Sequence, residues 1–132
     1  MPASPFQYAT LRVVPRIERG ELFNAGVVLL CRPRRFLAAR ARLDRAVLAA
    51  LSPGCDPDAV TAHLDALVRV AEGAPDAGPV AGLEPSERFH WLVAPSSTII
   101  QPSPVHTGLC GEPGRELDKL FESLVAVPAR PG

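Results

Sequence analysis

The residues able to do chemistry gather in one stretch, Ser86 to Cys110, SERFHWLVAPSSTIIQPSPVHTGLC. It holds the chain's only Trp, two of its three His and one of its three Cys. The imidazole of His106 titrates near neutrality and is the candidate acid or base. Arg88 is suited to pair with an anionic group, and Thr98 and Gln101 to orient it. Together they describe a small enzyme, or a binding protein, for a phosphorylated or nucleotide-like ligand, provided the groups converge in one pocket. His90 and Ser103 add polar groups to the same block. A second cluster lies near the start, in ERGELFNAGVVLL, where Arg19, Glu21 and Asn24 surround a first hairpin. Asn24 and Gly26 are expected on one strand face, at a bulge. Asn24, His90, Thr98 and Gln101 form the best set for a pocket floor. Arg19 with Glu21 reads equally as a surface ion pair of little energy.

Other chemistries find less support. His106 and Cys110 are four apart and His90 could approach them, but no CxxC or HxxxH pair completes a zinc set. We therefore assign no metal and no cofactor. Cys110 has no nucleophile signature around it, and a buried Cys is an ordinary core residue. The chain has no GxSxG elbow, Walker A loop, GxGxxG or HExxH. Gly108, Gly111 and Gly114 near a helix start could hold an anion, but loop and capping roles suffice for them.

Charge is balanced overall and uneven along the chain. Residues 1–50 carry nine Arg against Glu18, Glu21 and Asp44, a surplus of six positive charges. Residues 51–132 carry five basic and eleven acidic residues, a surplus of six negative charges. Two readings follow. The halves pack together and neutralise one another, or Arg32 to Arg45 forms a nucleic-acid face. The second predicts affinity that falls steeply with salt. It ranks last, because the net charge is zero and gives no global attraction.

The elements that must position these groups follow from periodicity. Phe6 to Val14, Leu22 to Cys31 and Arg35 to Arg40 read as three strands of an antiparallel meander. Leu43, Val47, Leu48 and Leu51 share a helical face. Asp56-Pro57 is an N-cap followed by proline at the first turn of a second helix, striped by Val60, Leu64, Leu67, Val68 and Ala71. Phe89 to Val93 alternates like a strand, with Ser97 to Gln101 as its neighbour. Pro102-Ser103-Pro104 ends the pairing and opens a loop. A last helix spans about Pro113 to Val125. The order predicts an α+β fold, with an antiparallel sheet of about five strands and helices packed mainly on one face. Residues 1–127 form a single domain, and 128–132 a flexible tail.

With 47% hydrophobic residues, the chain has a core to bury. No apolar run is long enough for a membrane span. The N-terminus lacks the basic start and apolar middle of a signal peptide. Three cysteines without paired spacing point to reduced thiols and a cytoplasmic setting.

The blocks ERGELFNAGVVLL and SERFHWLVAPSSTIIQPSPVHTGL resemble the DUF3037 family of bacterial proteins, from about Phe6 to Val125. The resemblance transfers no catalytic residue, since the family's function is unknown. It implies a protein partner, because some members are encoded beside HipA-like kinase proteins. The leading expectation is thus a small cytoplasmic binding or accessory module for a protein partner, possible also as a homodimer. It would engage that partner through Arg19 to Asn24 and the Arg88 to His106 block.

Overall fold

A computed structural model describes residues 2–126. Five strands form one antiparallel sheet: β1 (Ser4–Val13), β2 (Phe23–Cys31), β3 (Phe36–Ala41), β4 (Ile100–Pro102) and β5 (His106–Cys110). Four helices accompany them: α1 (Arg45–Leu51), α2 (Pro57–Glu72), α3 (Pro85–Leu92) and α4 (Pro113–Leu124). The lateral order is β3-β2-β1, with both β4 and β5 on the far side of β1. The α+β architecture and the five-strand count agree with the sequence. The expected tail, 128–132, lies outside the described residues.

Alternation along β1 and β2 sends side chains to two cores. Ala9, Leu11, Val13, Val28 and Leu30 face α1, α2 and α3 through Leu48, Val60, Leu64, Phe89 and Leu92. Phe6, Val27, Leu29 and Cys31 face Leu117 of α4. Helices thus lie mainly, but not wholly, on one face. Strand β2 is buried on both sides, which explains its continuous apolar run. Each such side chain contributes roughly 1.5–3 kcal/mol when fully buried.

The helix starts follow local chemistry. Asp44 accepts from the backbone N–H groups of Ala46 and Val47, and Asp56 from that of Asp58. Gly73, at φ 70°, ends α2 in the left-handed conformation that glycine adopts without strain.

Two expected strands change. Phe89 to Val93 is not a strand but the second half of α3 and the residue after it. Pro85 at the first turn and Glu87 in it favour a helix start, and Phe89 and Leu92, three apart, are both buried. Alternation over five residues was the wrong period to read. The neighbour expected at Ser97 to Gln101 pairs only from Ile100. The chain beyond Pro104 does not remain a loop but returns as β5.

Strands β4 and β5 behave as one edge strand with a bulge. Tyr8 opposes His106 and Leu11 opposes Pro102, so Ala9 and Thr10 face the three residues 103–105. Ser103, buried, seals the gap. Its N–H donates to the Thr10 carbonyl at 2.9 Å, and its Oγ accepts from the Thr10 N–H at 2.9 Å. The same hydroxyl donates to the Pro104 carbonyl at 2.9 Å. A second bulge sits in β2, where Leu11 opposes Gly26 but Arg12 opposes Asn24. The extra residue, Ala25, turns Asn24 to the α4 side, while a Cβ on Gly26 would meet Leu11 on the other. The bulge was expected, but it separates these two residues rather than placing them on one face.

No disulfide links the described cysteines. Burial, then the neighbouring Cys31, pushes the Cys110 thiol up, which keeps it protonated and unreactive at neutral pH. No helix of the described residues is long and apolar enough to cross a membrane.

Replacing Ser103 by Ala leaves the buried Thr10 N–H without its acceptor. We expect a loss of about 1–3 kcal/mol in urea unfolding, with the native fold retained. An unchanged midpoint would show that the hydroxyl does not hold the junction.

Candidate functional site

Helix geometry, rather than the polar residues, makes the groove between α2 and α3. Phe89 and Leu92 anchor α3 in the core, so Trp91, about 200° round the helix from Phe89, is turned to its flank. The indole is 50% exposed. It stands opposite His63 and Leu67 of α2, and these three residues line two adjoining depressions. One, of about 650 Å³, runs along α2 between Ala66 and Ala77, with the Arg69–Asp76 ion pair on its wall. The other, of about 310 Å³, continues past Leu92 to Ser96, Thr98 and Ile100. The combined groove is mostly apolar, with an imidazole, the Asp65 carboxylate, two hydroxyls and one exposed ion pair at its margins. Its size is that of a ligand or peptide-anchor site.

Of the sequence-derived candidates, Thr98 lines this groove. Its Oγ1 donates to the Ile100 carbonyl at 2.8 Å and lies 2.9 Å from Ser96 Oγ, which shapes the loop entering β4. Gln101 donates from Nε2 to the Thr98 carbonyl at 3.1 Å. With Ser103 it lines a shallower depression beside Pro95 and Ser96. His90 is exposed on α3.

The remaining candidates lie elsewhere. Arg88 donates from Nη1 to the Leu83 carbonyl at 2.5 Å and from Nη2 to the Ala71 carbonyl at 3.3 Å. It clamps the C-terminal end of α2 to the start of α3. Asn24 donates from Nδ2 to the Leu124 carbonyl at 3.2 Å and holds the end of α4. Arg19 pairs with Glu21 at 2.5 Å on an exposed turn, and that contact raises the Arg19 pKa. His106 is exposed, its ring 5.1 Å from that of Tyr8, which belongs to the α4 side of the sheet. Arg88 and His106 thus serve opposite faces. His63 was missed altogether. Its position beside Leu64 in the α2 stripe was visible, but nothing local shows that α3 would stand opposite it.

The Arg-rich first half meets the acidic second half. Arg34 reaches Glu112 at 4.0 Å, and Arg35–Glu84, Arg40–Asp118 and Arg45–Asp58 each close to 2.7 Å. Arg40 also stacks on Phe121, 4.2 Å from the ring centroid. The pairs are exposed and individually weak, but they match the neutralising reading of the charge asymmetry. No group of three or more His, Cys, Asp or Glu among the described residues is arranged to hold a metal.

Fold and groove together define a small α+β domain with an apolar, aromatic-marked cleft between two helices. Residues 8–125 match the family described as protein of unknown function, DUF3037, and the chain belongs to that family. No curated protein and no solved structure matches it.

If Arg88 serves as a clamp, Arg88→Ala removes the donor to the part-buried Ala71 carbonyl and costs about 1 kcal/mol in thermal or denaturant unfolding. A variant as stable as the parent would free Arg88 for a ligand role.

Proposed function

We propose that this protein is a cytoplasmic bacterial binding or accessory module that engages a protein partner through the α2–α3 groove. The observation that carries the reading is Trp91. It is the chain's only Trp, half exposed, and shared by both depressions with His63 and Leu67. Exposed aromatics beside apolar clefts are the residues that dominate protein recognition energy. The partner fitted to such a groove contributes an apolar segment, with polar contacts to His63, to Asp65 and the Arg69–Asp76 wall, and to the Ser96–Thr98 margin. This moves the expected contact surface from the Arg19–Asn24 hairpin to the helices. The HipA-like kinase implied by the family resemblance is the partner to try first.

The enzyme reading needs Arg88 and His106 at one place. Arg88 donates to carbonyls among the helices, while the His106 ring lies tilted against Tyr8 on the other face of the sheet. The nucleic-acid reading needs a free basic run, and four of its Arg residues have carboxylate partners.

The single Trp gives a direct readout. Titration with the purified kinase should blue-shift the Trp91 emission, and Trp91→Ala should weaken binding about thirtyfold, the scale of a hot-spot residue. Binding with no change in emission, or with full affinity in Trp91→Ala, would remove the groove as the contact surface. Absence of binding would remove this kinase, and photo-crosslinking from position 91 in cells would then report whether any protein occupies the groove.

A further inference from the structure

The two edges of the sheet are protected unequally. Along β3, Arg40 is tied to Asp118 and α2 and α4 pack against the strand. On the other side, β4 is shielded by Pro102, Pro104 and the bulge between them, devices that discourage a further strand. Strand β5 has none of these. His106-Thr107-Gly108-Leu109-Cys110 contains no Pro, Lys or carboxylate. Its register with β1 is unbroken from Tyr8–His106 to Ser4–Cys110. Among the described residues it has no strand on its outer side. Leu109 is 69% exposed and Val105 39% exposed, and with Thr107 they alternate onto one face.

We infer that β5 is the site where a second copy of this chain adds edge to edge, antiparallel, to join two five-stranded sheets into one. A two-fold contact places each residue against a residue of the same patch, so the strand must be self-complementary. Centred on Gly108, the pairing sets Thr107 against Leu109 of the second copy and His106 against Cys110. It opposes no two like charges. Leu109, the most exposed large apolar side chain described, becomes covered from both sides by Thr107 and Val105 of the second copy. Gly108 suits the centre. The Phe6 ring already covers its second-face side, where a Cβ would come within 2.8 Å of two ring carbons. An aromatic lying over an edge glycine keeps the strand straight and in register.

The contact is one short strand, smaller than a standard stable interface, so the dimer is expected to be weak and dependent on concentration. A five-residue edge without Lys, Arg, Asp or Glu suits strand addition, and the shielded β4 beside it limits the contact to β5.

Sedimentation equilibrium of the full chain, from micromolar to near-millimolar, should show the mass rising from one chain to two. Hydrogen exchange at residues 106–110 should slow over the same range. Leu109→Lys and Val105→Lys, both exposed in the monomer, should weaken dimerisation about tenfold or more and leave the melting temperature unchanged. Trp91→Ala should dimerise like the parent, since the groove is separate. A monomer throughout, or a dimer untouched by both Lys variants, overturns the inference. So does protection of 106–110 that appears only when a different protein is added, because β5 would then receive another chain.

Discussion

Over its second half, strand β1 must be hydrogen-bonded on both edges while both of its faces are largely buried, and most of the structure answers to that constraint. One edge is supplied by β2 from Gln7 to Val13. The other has to be assembled from two short pieces, β4 and β5, which arrive late in the chain. They do not meet in register, and the mismatch falls opposite Thr10 in the interior of the sheet. A buried N–H left open there would cost more than most single contacts return. Ser103 answers this with backbone and side chain at once. A residue that looked like a binding candidate by type therefore performs structural work by position.

The same logic reassigns other polar residues. Arg88 and Asn24 have the chemistry to hold a ligand, yet both donate to carbonyls near helix ends, where the helix itself leaves acceptors unpaired. Each ties a helix to the sheet or to its neighbour. The Arg-rich first half and the acidic second half neutralise one another across β3, α4 and the start of α3. Polar density in this sequence is thus largely connective. Two exposed apolar side chains stand out: Trp91 in its groove on one side and Leu109 on the β5 edge on the other. They are far apart in character, one a cleft between helices and the other a flat strand, and they suit different occupants.

Much of the fold was legible in the residues. The β1–β2–β3 meander, the Asp56-Pro57 helix start and the amphipathic α4 were each written in local pattern and capping chemistry. The family was legible as well, through two blocks that bracket the helical region. The failures share a cause. Phe89, Trp91 and Val93 alternate, and five residues of alternation suit either a strand or a short helix with two buried positions. The choice between them was made by where Phe89 and Leu92 could find a core. The expected coincidence of Asn24 and Gly26 failed because a bulge inverts the face of every residue beyond it.

The sequence by itself determined the elements whose reasons are local: strand alternation, helix caps, turns and the balance of charge between halves. The first three depend on neighbours within one or two turns of chain, and the last is a sum over residue types. Only the tertiary structure decided which apolar side chains are left exposed, and beside what. Trp91 is exposed because the rest of α3 is committed to the core, and His63 faces it because α2 packs alongside. Such a pairing joins residues 28 positions apart and is set by how two amphipathic helices share one sheet face, which no local pattern encodes.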